Sequence, residues 1–495
     1  MLEGLLAAMS PTNLFVEIVG VLIGIVFGAI PGLTATLAIA LFVPVTFLMS
    51  ASAGMIMLAG IYAGAIFGGS ISAILINVPG TPASIITGWE GYALAREGKA
   101  PLALSLAALS SGVGGLFSAV ALLFLTPMLS SLALTFGPPE YCALLLFSFT
   151  IVTVMIETPL MRNLLGCFIG LLLTTIGLDP VTGSARFTFG SVDLMSGFNL
   201  IAVLVGFFCM TEAVFLAFES LDKSTNDQII KFGKGNSFSE LIKTLLTHGI
   251  TYLRSSTIGL FLGILPAVGP VETPFIAHTV EGRFNRQDKK FGKGSITGLI
   301  ASECSISANV GGSLMPLISL GIPGSGAAAV FIGALTLHGL QPGPLLFKSE
   351  PVLIYTFFWG FIAVNLFMMF FGMFGAKYFA LVLKLRKSVL ATFIAVFSIL
   401  GSYAVNNSLF DVGVMFGATA LALWLRALRV PILPIVLAVI LGPLLEQQAL
   451  VLFTTSAGVA DVLRRPIADG FFVISALIVV FSVARRLREG RAKPC

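Results

Sequence analysis

Neutral oxygen donors gather at two sets of breaks in this sequence. In the first half, Thr34 and Thr36 follow Pro31-Gly32, and Ser70, Ser72, Asn77, Thr81 and Ser84 bracket Pro79-Gly80. In the second half, Thr273 follows Pro266 and Gly269, and Ser305, Ser307, Asn309, Ser313, Ser319 and Ser325 bracket Pro323-Gly324. Proline removes a backbone donor and clashes with the preceding turn, and glycine permits positive φ, so together they unwind a helix locally. The N–H groups that start the next half-helix suit a carboxylate. Unwound carbonyls and hydroxyls suit a hard cation such as Na⁺. A single Ser or Thr in a helix commonly bonds back to its own backbone; the clustering points to binding.

This reading assigns Pro31, Gly32, Thr34, Ser70, Asn77, Pro79, Gly80, Thr81, Pro266, Gly269, Ser313, Pro323, Gly324 and Ser325 to a carboxylate substrate. It assigns Thr36, Ser72, Thr273, Glu303, Ser307 and Asn309 to a coupling cation, Na⁺ or H⁺, with no other cofactor. Ionisable residues inside apolar runs are costly and usually functional. They are Glu157, Glu212, Glu272 and Glu303, with Glu17 near the start. Glu303 sits just before the second Gly-Gly-Ser. Glu272 follows the second Pro break. Glu157 and Glu212 lie near helix ends, where an interfacial position is expected.

Two other chemistries are weighed. An intramembrane serine protease would use Ser325, in Pro323-Gly-Ser-Gly326, with His338 thirteen residues on. The required first glycine is Pro323, and no oxyanion-donor set is readable; His338, before Gly-Leu-Gln-Pro-Gly-Pro, reads better as the cap of a helix end. Metal ligation is disfavoured. The histidines 248, 278 and 338 are far apart, and Cys142, Cys167, Cys209, Cys304 and Cys495 show no Cys-x-x-Cys spacing. Four of the cysteines lie in or beside apolar runs and read as buried thiols.

The elements that must position these groups are set by composition. The chain is 57% hydrophobic and only 10% charged, against about 25% charged in a soluble domain. Its solvent is therefore largely the lipid bilayer. Only helices or closed barrels satisfy the backbone there, and the apolar runs are continuous at about 20 residues, the length of a crossing helix. The expectation is an all-α polytopic membrane protein with about 10–13 membrane segments. The net charge of +5 is scattered through loops and the tail, with no aromatic platform, so no nucleic-acid partner is implied. No Lys or Arg precedes Arg96, so the first apolar run lacks the basic start of a signal peptide and reads as mature structure.

Polar stretches are few: Gly88–Lys99, Leu221–Lys243 and Glu281–Lys293. The second divides the chain, giving a first repeat over 1–220, a connecting segment over 221–249 and a second repeat with a basic tail over 250–495. GAIPGLTAT (28–36) and GGSISAILINVPGTPAS (68–84) are answered by GILPAVGP (263–270) and GGSLMPLISLGIPGSGA (311–327). Pro31 and Pro266 are 235 residues apart, Gly68 and Gly311 243, and Pro79 and Pro323 244. One irregularity remains: a charged Gly-Lys follows the Pro-Gly pair in the first half, at 98–99, but precedes Gly-Gly-Ser in the second, at 292–293. Corresponding interrupted segments in two halves are the best sequence pointer to a transporter's binding site. A channel filter would need a repeated carbonyl or charged ring, and none stands out. The tail Arg485–Lys493 places the C-terminus in the cytoplasm by the positive-inside rule, with Arg464 and Arg465 opposing it.

These motifs resemble the TctA family, the large membrane subunit of tripartite tricarboxylate transporters. The carrying stretches are 28–44, 61–84 with GYALAREGKA (91–100), FGKGSITGLIASE (291–303), and 311–347. The resemblance covers essentially the whole chain. It implies Na⁺- or H⁺-coupled uptake of a small tricarboxylate or dicarboxylate across the bacterial inner membrane. It implies a small four-helix TctB-like membrane subunit and a TctC-like periplasmic solute-binding protein, and it allows a homodimer. It further implies inverted halves, broken helices with re-entrant hairpins, and an elevator-type movement. The second loop departs from the family pattern at Ala267 and Glu272, and Ile306 and Ser307 stand where an Asn pair is usual; substrate choice is expected to differ there.

Overall fold

A computed structural model of the chain describes residues 1–156, 158–179, 182–219, 238–266, 268–455 and 465–491. Glu157, Ala267, Arg464, Cys495, the end of the tail and most of the polar connecting segment lie outside the described residues. Helix dominates. Nine helices among the described residues are long and apolar enough to cross a membrane. The chain is a multi-pass α-helical membrane protein, as its composition requires.

Two compact units make up the chain, each assembled from two separate stretches. The first joins residues 1–130 and 208–408, and the second joins 131–207 and 409–495.

In the first unit, α1 (Leu2–Ala8) leads into α2 (Pro11–Ala29), which starts on Ser10 as N-cap with Pro11 in its first turn. Pro at that position costs no hydrogen bond, because the N–H it lacks would be unpaired anyway. The run that reads as one apolar segment over 14–43 is broken at Ile30–Leu33. Thr34 then caps α3 (Ala35–Thr46). Phe27 and Phe42 meet edge to face at 5.7 Å across the break, so α3 returns along α2. The pair is a helical hairpin. Ser50 next caps the 26-residue α4 (Ala51–Ile76). An irregular helical arm, 82–99, leads into α5 (Ala100–Ala133).

The second stretch repeats this order. Helix α10 (Gly249–Ile264) breaks at Leu265–Glu272, and α11 (Thr273–Phe284) returns. Thr251 and Arg254 on the outgoing arm bond Glu281 on the returning one at 2.8 and 2.9 Å. Ser295 caps the 25-residue α12 (Ile296–Leu320), and Ser325 caps α13 (Gly326–Leu337). Between the stretches lie α8 (Leu200–Glu219), whose π-helical turn Val205–Met210 carries the chain from one unit to the other, and α9 (Phe238–Thr247). Helices α14 (Pro351–Phe379) and α15 (Lys387–Asn406) complete the unit.

Glycine sets the helix contacts. Gly20, Gly24 and Gly28 of α2 lie against the backbone of Met57, Ile61 and Ala65, and Gly60, Gly64 and Gly68 of α4 answer from the other side. Gly259 and Gly263 of α10 lie against Ser305 and Asn309 of α12. In lipid there is little hydrophobic drive between helices, so close backbone approach through small residues supplies the attraction.

The second unit contains α6 (Pro138–Met155), α7 (Leu160–Thr174), α16 (Leu409–Ala427), α17 (Ile432–Thr455) and α18 (Pro466–Arg491). Helix α17 packs on α7 and α6, with Gly170 against the backbone of Ile435, and α18 packs on α6. Arg465 bonds the buried Glu140 at 3.2 Å, and Glu140 also accepts the N–H of Gly137 at 2.8 Å. Arg186, in a short strand, pairs with Glu446 of α17 and stays charged more firmly for it, its pKa raised by that bond. The buried-thiol reading holds for Cys142, Cys167, Cys209 and Cys304.

Candidate functional site

The two Pro-Gly loops fold alike. Helix α4 ends on Asn77 in the left-handed region, at φ 57°, and α12 ends on Gly321, at φ 75°. Each chain then doubles back on its own helix. The Gly80 N–H donates to the Gly69 carbonyl at 3.2 Å, and the Gly324 N–H donates to the Ser313 carbonyl at 3.4 Å. A Cβ on Gly80 would collide with the Gly28 carbonyl, and one on Gly324 with the Gly263 carbonyl. Gly28 and Gly263 are the last turns of the outgoing hairpin arms, so each Pro-Gly loop seats against the hairpin of its own half.

Hydroxyls and amides concentrate at the second loop. The Tyr62 hydroxyl, carried by α4, lies 2.9 Å from Ser325 Oγ and 3.4 Å from Ser313 Oγ. Ser325 Oγ also accepts the Ala328 N–H at 3.1 Å as N-cap of α13. A Cβ on Gly269, in the hairpin break, would be 3.8 Å from Ser325 Cβ and 4.0 Å from Glu272 Oε2. The break is held by Asn309, whose Nδ2 donates to the Val268 carbonyl at 3.1 Å and to Thr273 Oγ1 at 2.8 Å. Thr273 Oγ1 in turn donates to the Gly269 carbonyl at 2.9 Å. Asn309 Oδ1 and Ser307 Oγ are buried without a hydrogen-bond partner. Of the positions departing from the family pattern, Glu272 is exposed beside Gly269, and Ile306 is buried.

Glu303 forms a separate centre. Its fully buried carboxylate accepts from Ser70 at 2.7 Å, from Ser111 at 2.6 Å and from Thr87, and Ser302 lies 3.1 Å from Thr87. It binds α4, the 82–99 arm and α5 to α12. Ten residues of helix, about 15 Å, separate it from Ser313.

The first loop is quieter. Thr34 accepts the Leu37 N–H at 3.2 Å as a cap. Ser72 bonds its own helix at Gly69, 3.2 Å away, and Ser84 bonds Gly69 and Thr81. Thr81 Oγ1 is buried without a partner, while Asn77 is exposed. Pro31-Gly32 faces an unexpected neighbour. A Cβ on Gly32 would lie 3.8 Å from Glu212 Oε1. Glu212 follows the π-helical turn of α8 and lies beside the hairpin tip.

A family model described as the tripartite tricarboxylate transporter TctA family matches residues 14–437. The chain belongs to that family. An Agrobacterium vitis protein named "Uncharacterized 52.8 kDa protein in TAR-I ttuC' 3'region" is 34% identical over 99% of this chain and 97% of its own length. A second from the same organism, "Uncharacterized protein in TAR-II ttuC' 3'region", is 31% identical over 47% of this chain and 97% of its own length. No solved structure matches the chain.

A TctA chain is a transporter component and not an enzyme, and the geometry gives the protease alternative no support. Ser325 starts α13 and His338 ends it, about 20 Å apart along the helix. The serine is bonded to Tyr62, and His338 is the helix cap its sequence context suggests.

Two residues of this TctA chain escape sequence reasoning. Tyr62 sits in a plain apolar helix, and only a buried phenol's need for a partner could have flagged it. Glu90 is the other. It lies in the polar stretch Gly88–Lys99, yet it is fully buried. It accepts from His278 Nε2 and Gly292 N at 2.7 Å each, and from Gly294 N and Ser295 N at 2.8 Å each. It thereby caps the start of α12.

Proposed function

We propose that this chain is the transport subunit for uptake of a small tricarboxylate or dicarboxylate, coupled to Na⁺ or H⁺, across the bacterial inner membrane. A periplasmic solute-binding protein delivers the substrate, and a small four-helix membrane subunit completes the system. The observation that carries this reading is the second-loop centre. Hydroxyls of Tyr62, Ser313 and Ser325, the N-terminus of α13 and the backbone at Val268 and Gly269 converge there. Helix N-termini and hydroxyls favour a carboxylate, and the carbonyls of Val268 and Gly269 with Asn309 and Thr273 favour its cation.

Orientation supports the reading. Glu97 bonds Lys290 at 2.8 Å and Lys99 at 3.1 Å, and Arg254, Arg283, Arg286 and Lys293 belong to the same polar end. Such a basic end is cytoplasmic by the positive-inside rule. The 249–284 hairpin then opens from the cytoplasm. The first hairpin opens from the periplasm, because Thr46 at its return lies by Gly54 and His338, at the far end of α13. This is the arrangement of an inverted repeat. In an elevator-type movement the first unit, which holds both loops, carries the substrate.

The test is uptake into vesicles containing this chain, its small membrane partner and the binding protein loaded with candidate carboxylates. Accumulation that follows an imposed Na⁺ or proton gradient is expected. Uptake indifferent to both gradients would overturn the proposal.

A further inference from the structure

Glu17 takes part in none of the sites above. It lies on α2, about 20 Å along the chain before the Pro31 break, and its side chain is wholly buried. Neither carboxyl oxygen has a hydrogen-bond partner. The other buried glutamates differ: Glu90, Glu140, Glu281 and Glu303 each accept two or more bonds. Gly360 of α14 packs against Ile56 of α4, and a Cβ there would come within 3.2 Å of Glu17 Oε1. The carboxyl is thus enclosed where α2, α4 and α14 meet.

A carboxylate held in that setting is costly, by several kcal/mol for an unpaired charge. Packing alone does not explain it, since a leucine would fill the same interface. Binding a cation removes the charge. No hydrogen-bond donor reaches the carboxyl to offset its charge. A proton needs only the carboxyl itself.

We propose that Glu17 is a proton-binding site in the membrane interior, separate from both Pro-Gly loops. The step is the combination of the carboxylate with one proton to give the carboxylic acid, and its reverse. Exchange with water requires α14 to part from α2 and α4. As a coupling site it rests on the transport reading; proton binding by itself does not.

The charged and titratable groups nearby do not neutralise Glu17. On α1, Glu3 is exposed. On α4, Tyr62 bonds Ser325 and Ser313. On α14, the Tyr355 ring packs on Phe358, and Tyr378 is exposed. Lys377 is seventeen residues beyond Gly360, about 25 Å along the helix, and Lys384 is further still. Helix α3 carries no titratable residue.

Infrared difference spectra of the full chain in lipid vesicles, between neutral and alkaline buffer, test this without any substrate. The wild type is expected to lose the C=O band of a buried carboxylic acid as pH rises. Glu17→Gln should lack that band and Glu303→Gln should keep it. Identical spectra from the wild type and Glu17→Gln would overturn the proposal. Melting of Glu17→Gln and Glu17→Leu controls for folding: both are expected to melt at or above the wild-type temperature. A fall of about ten degrees or more in both would show a structural role and overturn it as well. Failure of carboxylate transport would appear as absent uptake in every variant and would leave the infrared result standing.

Discussion

Gly80 and Gly324 occupy matching places in the two halves. Each donates its N–H back to the helix that precedes it, to Gly69 and Ser313, and both donors and both acceptors are offset by 244 positions. Each also lies against the carbonyl of a hairpin glycine, Gly28 or Gly263. The Pro-Gly repeat is therefore one backbone device built twice.

Alanine at either position should damage that device. The added Cβ of Gly324→Ala would come within 2.8 Å of Ser313 Cα, and that of Gly80→Ala within 2.8 Å of Gly69 Cα. Backbone has little room to give, so each change should cost about 1–3 kcal/mol. Thermal melting of the purified protein would show it, and wild-type melting would contradict it.

The Glu303 cage should behave as a unit. Ser70→Ala or Ser111→Ala each removes one donor to a buried carboxylate and should cost about 1–3 kcal/mol. Because the two hydroxyls share one acceptor, the double variant should depart from the sum by at least about 0.5 kcal/mol. A double-mutant cycle by denaturation measures this; strict additivity would argue against a shared network.

Glu90 should hold the basic end shut. Glu90→Gln leaves N–H donors of Gly292, Gly294 and Ser295 facing an amide, with a loss of about 1.5–3 kcal/mol per charged hydrogen bond disturbed. The start of α12 should fray, and trypsin should cut after Arg286, Lys289 or Lys290 several-fold faster. An unchanged cleavage rate would remove Glu90 from this role.

Much of this was legible in the sequence, for identifiable reasons. Composition dictated helices in lipid, and Pro31, Pro79, Pro266 and Pro323 marked every break, because the loss of a backbone donor is a local property. The misplaced Gly-Lys pairs were legible only as an irregularity. In the fold, the arm after Gly80 runs to the end where α12 begins, so Lys99 and Lys290 both reach Glu97. That crossing is a tertiary fact. The same holds for Glu212 beside the Gly32 tip, and for Tyr62, whose partners are 251 and 263 residues away. Several hydroxyls assigned to ligands, Thr34 and Ser72 among them, bond the backbone locally, the role most such residues take.

The second-loop centre is the heart of the account, and Tyr62→Phe probes it with the loss of one oxygen. The decisive measurement is carboxylate uptake into vesicles holding the complete system, wild type against Tyr62→Phe at equal protein, under an imposed Na⁺ or proton gradient. Gradient-driven accumulation is expected in the wild type, with a rise of about tenfold in the half-saturating substrate concentration of the variant, equivalent to about 1.4 kcal/mol. Equal uptake by both proteins across substrate concentrations would contradict it.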